Sequence, residues 1–352
     1  MLHDVKQFSS DKILKHVDRI DSWLKGENPV PITVELDMTN ACNHECPECV
    51  VEYFRQKDAS HLSRAFAEKI IRQLAKIGIR GLIFTGGGEP LCNKATPAMV
   101  ELANQLGMDV GFITNGSLIN KKNASVILKN SVWVRVSLDA ATPGVFKKMH
   151  GLEEKEFNKV IDNIRLLARL KKKNKYKCTV GVGFLTSNDS IIDMEKAAVL
   201  CKEIGVDYLQ YRPMQVHKGG KFAYHWTDVS SVIDRCLRHS TDTFKVLFSQ
   251  HKYEMMKRKD YGRDYGRCYG HQFATVIAAT GKMYICCHLR GFEKYCIGDL
   301  NKNTFKQIWQ SDKRRKIAGK INFKDCIPLC RDNTFNQVLW NIKQPREHVN
   351  FL

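Results

Sequence analysis

The sequence predicts an α/β fold built on a parallel sheet, followed by a smaller unit that contains a β-hairpin. Three observations carry this expectation. Six short strand-like segments between residues 32 and 213 are separated by stretches of helical periodicity, the pattern of right-handed βαβ crossovers. Polar loop signals follow the strands and so collect at the carboxyl edge of the sheet, where such folds keep their chemistry. The alternation breaks after about residue 215. The pattern by itself allows either an open sheet or a barrel.

Residues 1–30 read as a polar, helical lead-in, and ITVEL (32–36) as the first strand. A helix follows with Ser63 as N-cap, Phe66, Ile70, Leu74 and Ile77 on one face, and Gly78 placed to stop it. GLIFT (81–85) is a nearly all-apolar strand, as a sheet buried on both faces requires. The next units pair helix 95–107 with strand DVGFIT (109–114), and helix 120–130 with VWVRVSL (132–138). Helix 157–173 leads to CTVGVGFL (178–185), and helix 190–205 to DYLQYRP (207–213). These bound a main domain at 31–215. Residues 216–262 read as a linker region with a helix near 228–240, and 263–352 as the second unit. There ATVIAATGKMYICC (274–287) reads as a hairpin turning at Thr280-Gly281, with a helix near 303–319.

At 352 residues the chain is long for one core, and a main domain of about 200 residues with a smaller companion is the ordinary outcome. No stretch has the roughly 18 uncharged apolar residues of a membrane span, and the first residues lack the apolar core of a signal peptide. A cytoplasmic protein with no membrane partner is the expectation. The net charge of +19 is mostly lysine spread along the chain, concentrated at 169–178 and 255–267. It reads as solvated faces first, and as attraction for an anionic substrate second.

Thirteen cysteines in a chain of this size point to metal or redox chemistry rather than a disulfide framework. Cys42, Cys46 and Cys49 fall within CNHECPEC, and Cys268, Cys286, Cys287 and Cys296 form a second bunch, with Cys326 and Cys330 beyond. Cys92, Cys178, Cys201 and Cys236 stand alone and read mainly as buried small hydrophobes. Three thiolates spaced C-x3-C-x2-C after the first strand suit a cubane iron-sulfur cluster with one iron left open. A zinc site completed by His44 or a distant ligand is the rival reading. One βα unit later, FTGGGEPL (84–91) brings glycines and a carboxylate to the same edge.

Here the sequence resembles the radical S-adenosylmethionine enzymes. Cys42, Cys46 and Cys49 are similar to the family's cluster ligands, and Gly87, Gly88, Glu89 and Pro90 to its GGEP motif, which contacts the methionine amino group. Asn115 and Gly116 after the third strand, and Ser137 and Asp139 at the end of the fourth, continue the likeness; Ser137 resembles residues that contact the adenosine ribose. Gln210 and Arg212 sit where this family often lines the substrate cavity. Over residues 30–215 the resemblance implies a partial (β/α)6 barrel of the TIM type. It also implies that S-adenosylmethionine is the missing fourth ligand of a 4Fe-4S cluster. Where many relatives read IRG, this chain reads Met149-His150-Gly151. His150, Lys147 or Lys148 is then the candidate partner of the cofactor carboxylate.

The second unit resembles the auxiliary-cluster domains called SPASM and twitch. Cys268 is followed by twelve residues, Gly281, four residues and Cys286, and the hairpin would return Cys286 beside Cys268. With Cys326 and Cys330 of CIPLC, the resemblance implies one saturated auxiliary 4Fe-4S cluster in a small α+β unit; a structural zinc site is the rival. The C-x2-C-x5-C-x3-C run of a full SPASM pattern is absent, so one auxiliary cluster is expected rather than two. Cys287 and Cys296 read as buried neighbours, or as thiols able to return a hydrogen atom.

The implied activity is reductive cleavage of S-adenosylmethionine and hydrogen abstraction from a substrate in the barrel mouth. The substrate radical would then be oxidised through the auxiliary cluster, with a reductant such as flavodoxin or ferredoxin as partner. The arrangement resembles that of a family dehydrogenase acting on an aminocyclitol, so the leading reaction is oxidation of a sugar or cyclitol alcohol. Peptide modification and radical epimerisation are the other readings. Only about 30 residues precede the first strand, which disfavours a leader-peptide recognition domain. A basic nucleic-acid-binding protein would account for the charge and cysteines but not for GGGEP or the six βα units. The sequence assigns no general base.

Overall fold

The computed structural model describes residues 10–55, 59–218, 221–224, 226–344, 347–348 and 350–351. The lead-in contains a 3-10 helix at Ser10–Lys15 and an α-helix at Val17–Leu24; its first nine residues lie outside the described set. The six expected strands are present as β1 (Thr33–Asp37), β2 (Gly81–Thr85), β3 (Asp109–Thr114), β4 (Trp133–Ser137), β5 (Thr179–Thr186) and β6 (Tyr208–Pro213). They pair in parallel in sequence order. Helices on the connections follow the predicted caps: Ser63 Oγ accepts the Phe66 amide at 3.2 Å ahead of helix Arg64–Lys76, and Gly78 takes φ +85° just past it.

The rest of the chain departs from the simple expectation in three places. Residues 216–262, read as a linker, carry a small antiparallel pair, β7 (Gln215–Lys218) and β8 (Lys221–Tyr224). They also supply β9 (Lys245–Phe248), which extends the main sheet in parallel beyond β6. The hairpin of the second unit, β10 (Ala274–Ile277) and β11 (Lys282–Tyr284), is not a separate sheet. β10 pairs in parallel with β1, from Thr33↔Ala274 to Leu36↔Ile277, and β12 (Cys296–Asp299) follows β11. The order is β12-β11-β10-β1-β2-β3-β4-β5-β6-β9, so the cysteine-bearing unit covers what would otherwise be the exposed edge at β1. Gly281 makes the predicted turn at φ +83°. The helix expected near 303–319 is two helices, Phe305–Trp309 and Asp312–Gly319, because Ser311 turns out of the first and caps the second.

The central strands are not apolar on both faces. Val34, Leu36, Leu82, Phe84, Phe112, Val136, Phe184 and Leu209 alternate along them and are fully buried in the core cluster. The intervening positions hold Glu35, Asp37, Arg135, Ser137, Gly183, Gln210 and Arg212, and form the concave face. Its amino-terminal end is closed by two rings seated on glycines. A Cβ on Gly111 would lie 2.3 Å from the Trp133 ring, and one on Gly181 2.0 Å from the Tyr208 ring.

A buried charge network ties the second unit to this interior. Arg290 donates from Nη1 to both Asp37 oxygens at 2.8 and 3.0 Å and from Nη2 to Glu35. Arg331 reaches the other Glu35 oxygen at 2.5 Å. Glu35, Asp37 and Arg290 are all buried. Burial pushes the Asp37 carboxyl up to about 7, and the attraction of Arg290 only partly offsets it. Removing one partner strands charge in a dry interior. We therefore expect Arg290→Ala to cost about 3–5 kcal/mol in urea unfolding, and Glu35→Gln with Asp37→Asn in the same chain to recover part of it. A loss within 0.5 kcal/mol of zero would show that the network is solvated.

Candidate functional site

The loop after β1 carries Cys42, Cys46 and Cys49, all partly exposed. It is held by the turn after β2: the Gly88 amide donates to Thr39 O at 3.0 Å and the Glu89 amide to Ala41 O at 2.9 Å. A Cβ on Gly88 would fall 1.9 Å from Ala41 O, so glycine is required here by the approach of two backbones. Gly87 is buried in the same turn, and Pro90 opens a 3-10 turn that runs to Cys92. The glycines therefore position the cysteine loop as well as any ligand.

Glu89 is 2% exposed, and its carboxylate receives the Thr114 hydroxyl at 2.8 Å, the Leu91 amide at 3.1 Å and the Asn115 amide at 2.7 Å. Burial still pushes it up to about 7. The first two bonds fall on Oε1 and the third on Oε2, which leaves one acceptor site on Oε2 for an ammonium group. Asn115 lies against the cysteine loop: its side-chain Nδ2 is 3.0 Å from Asn43 Oδ1 and 4.0 Å from Cys42 Sγ. The His44 amide is 3.4 Å from the same sulfur. Donors aimed at a sulfur suit a thiolate bound to iron.

His150 is 2% exposed and sits beside Cys46. Its Nδ1 is 3.6 Å from Cys46 Sγ and 3.3 Å from His44 Nδ1. Its Nε2 is 2.8 Å from Leu138 O, and because a carbonyl only accepts, Nε2 carries the proton. Burial lowers its pKa, with Asp139 opposing. The sequence reading offers His150, Lys147 or Lys148 as partner of the cofactor carboxylate; the fold packs His150 under the cysteine loop, where a Cβ on Gly151 would lie 2.3 Å from Glu45 O. Asp139, at φ +55°, accepts the Leu185 amide at 2.7 Å and lies 3.8 Å from His150 Nε2. It braces β4 against β5. Ser137, the last residue of β4, faces the concave side opposite Gly183.

Cys268, Cys286, Cys326 and Cys330 line one cavity, joined by Cys287, His288 and Arg331. Burial holds the Cys268 thiol up at about 12 and the Cys326 thiol at about 11. Four thiols gathered in a dry pocket that disfavours their ionisation fit a metal that displaces their protons. Cys287 and Cys296 part company. Cys287 belongs to the cavity, its sulfur grouped within 4.8 Å with a ligand atom of Cys286 and of Asp332. Cys296 is packed with Val276, Ala278 and Tyr284. His288, unremarked in the sequence, also lines this cavity; burial pulls its pKa down, but the neighbouring Cys287 and Cys330 sulfurs bring it to about 10. Cys178, Cys201 and Cys236 are buried as expected, while Cys92 is partly exposed, with its thiol 3.9 Å from Asn43 Oδ1.

Gln210 and Arg212 face the concave side, and Arg135 and Lys252 join Arg212 there. The sequence did contain a signal for the charged interior: Glu35 and Asp37, and Arg135 and Ser137, are each two residues apart on a strand. Gly88→Ala should force the two backbones apart, destabilise the fold by about 1–3 kcal/mol and lower the iron bound at the cysteine loop after anaerobic reconstitution. Unchanged iron content and melting temperature would show that the approach is not required.

Residues 36–198 match the family model described as the radical SAM superfamily, and residues 268–332 match that of an iron-sulfur cluster-binding domain, SPASM. An S-adenosylmethionine-dependent nucleotide dehydratase of Lacinutrix mariniflava is 30% identical over 138 residues, 37% of this chain and 27% of its own. A probable GTP 3',8-cyclase of Methanococcus vannielii is 23% identical over 220 residues, 62% of this chain and 70% of its own. The chain thus spans about a quarter of the first relative and more than two thirds of the second. Among solved structures, Streptococcus suis SuiB bound to S-adenosylmethionine has the same fold, with TM-score 0.67 at 15% identity over 97% of this chain and 82% of that one. S-adenosylmethionine and 4Fe-4S clusters are the cofactors of this architecture. The chain belongs to the radical SAM superfamily and carries a C-terminal SPASM domain.

Proposed function

We propose that this enzyme is a radical dehydrogenase that oxidises an alcohol of a small sugar-like or cyclitol molecule to a ketone. When bound, the cluster at Cys42, Cys46 and Cys49 supplies the electron for S-adenosylmethionine cleavage and so the radical that takes a hydrogen atom. The substrate carbon would give up that hydrogen and the hydroxyl its proton, and Cys268, Cys286, Cys326 and Cys330 would hold a cluster able to accept the remaining electron. The observation that carries this reading is that Cys268, Cys286, Cys326 and Cys330 line one cavity, with Cys287 beside them, enough thiols to fill every ligand position of a 4Fe-4S cluster. A set with no open ligand position is suited to moving an electron rather than to binding substrate.

The chain's own residues do the holding. Gly87, Gly88, Glu89 and Pro90, with Asn115, are positioned for the methionine end of the cofactor, and Ser137 for its ribose. Gln210 and Arg212 line the space above the Trp133 and Tyr208 rings and orient the substrate. Arg331, next to Cys330, reaches Glu35 inside the barrel, which supports an electron path between that interior and the auxiliary set. The relatives named for nucleotides support a small sugar-bearing substrate, while a PqqA peptide cyclase of Bradyrhizobium diazoefficiens, 25% identical over 123 residues, supports the peptide reading.

Anaerobic reconstitution should give two 4Fe-4S clusters. Replacing Cys42, Cys46 and Cys49 by alanine should remove one and abolish formation of 5'-deoxyadenosine. Replacing Cys268, Cys286, Cys326 and Cys330 should remove the other, preserve cleavage of S-adenosylmethionine and abolish ketone formation. Ketone produced by the second variant would sink the dehydrogenase reading.

A further inference from the structure

Arg135 on β4 and Arg212 on β6 flank Gly183 on β5. A Cβ at Gly183 would meet Arg212 Nη2 at 3.3 Å and Arg135 Cδ and Nε at 3.4 and 3.6 Å. Both Nε atoms are buried and without a hydrogen-bond partner. Among the described residues no carboxylate lies within ion-pair distance of either guanidinium, in contrast to Arg290 and Arg331 across the same interior. Asp139 acts on both charges from farther off, but its oxygens are engaged at Leu185 N and beside His150. Glu35, which acts on Arg135, is already held by Arg290 and Arg331.

Lys252 adds a third cation. It projects from helix Gln250–Arg258, is 9% exposed, and has no carboxylate partner among the described residues. Burial and then the Arg212 charge bring it down to about 8. Burial and then Arg135 bring Arg212 itself down to about 9. Like charges gathered in a low-dielectric space repel strongly, and buried guanidinium donors left unmatched are costly. The chain nevertheless keeps glycine at the one position where a side chain would occupy the gap between them.

We infer that Arg135 and Arg212, with Lys252 at their side, form an oxyanion subsite inside the barrel for a phosphate or carboxylate group of the substrate. Guanidinium forks match the paired oxygens of either group. The Trp133 and Tyr208 rings close the space below, so the anion enters from the carboxyl edge. This rests on the barrel being the substrate cavity, as proposed above, but not on the oxidation.

The test is calorimetric titration of the reconstituted holoenzyme, saturated with S-adenosylmethionine, with inorganic phosphate, glucose 6-phosphate, glucuronate and glucose. Saturable binding of one of the charged ligands, at least tenfold weaker or absent for glucose, and at least tenfold weaker in Arg135→Gln and Arg212→Gln, supports the subsite. Whether the phosphorylated or the carboxylated sugar binds more tightly names the oxyanion. Gly183→Ala keeps every charge and narrows the gap, so it should also weaken anion binding; its cluster content and melting temperature check that it folds. Binding unchanged in both arginine variants, or no saturable binding of any charged ligand, overturns the inference. So does binding seen only without S-adenosylmethionine, because the arginines would then serve the methionine carboxylate. Anion binding without ketone formation would sink the dehydrogenase reading and leave the subsite standing.

Discussion

The interior of this enzyme depends on the pairing of Glu35 and Asp37 with Arg290 and Arg331. Two carboxylates on the concave face of β1 would be untenable alone, because a buried charge without a partner loses far more solvation than the fold recovers elsewhere. Their partners come from the far end of the chain. Arg290 stands three residues beyond Cys287 and Arg331 directly follows Cys330, so the ion pairs that neutralise the barrel also place the auxiliary cysteines against it. The parallel pairing of β10 with β1 acts in the same direction. The SPASM domain is thus a wall of the barrel rather than an appendage to it.

A second constraint acts at the carboxyl edge. The three cysteines lie on a loop with little regular structure, and a loop holds a cluster only if its backbone is anchored. The Gly88 and Glu89 amides anchor it from the β2 turn, and the Glu45 amide bonds to His150 O from the other side. Glu89 in turn is fixed by Thr114 and Asn115 at the end of β3. Each successive strand end therefore braces the one before, and the site inherits the rigidity of the sheet.

Much of the fold was legible because the alternation of short apolar strands with amphipathic helices leaves few topologies open, and because Ser63, Gly78 and Gly281 signal their caps and turn by local chemistry. The cysteine spacings were legible for the same reason: a C-x3-C-x2-C loop and a hairpin-returned pair are short-range features. The apolar pattern of GLIFT does not extend to every strand of the sheet. The period-2 polar positions of β1, β4 and β6 describe a lined interior, and their alternation was present in the residues. The stretch 216–262 reads as a linker because a helix near 228–240 and a basic run break the alternation there, and only the open edge of β6 makes a strand of Lys245–Phe248. His150 packs under the cysteine loop against His44 and Cys46, partners distant in the chain, which no local rule predicts.

The sequence by itself determined the class of chemistry, since three thiolates followed by a glycine-rich turn at the next strand end form a local pattern, and the order of strands, since connection length and handedness are local as well. Tertiary structure alone decided which charges meet. Arg290 with Asp37, and Arg135 with Arg212 across Gly183, are separated by tens to hundreds of residues and meet only when the sheet closes around them. Electrostatic pairing depends on distance through space and on burial, and neither is written in the spacing of residues along the chain.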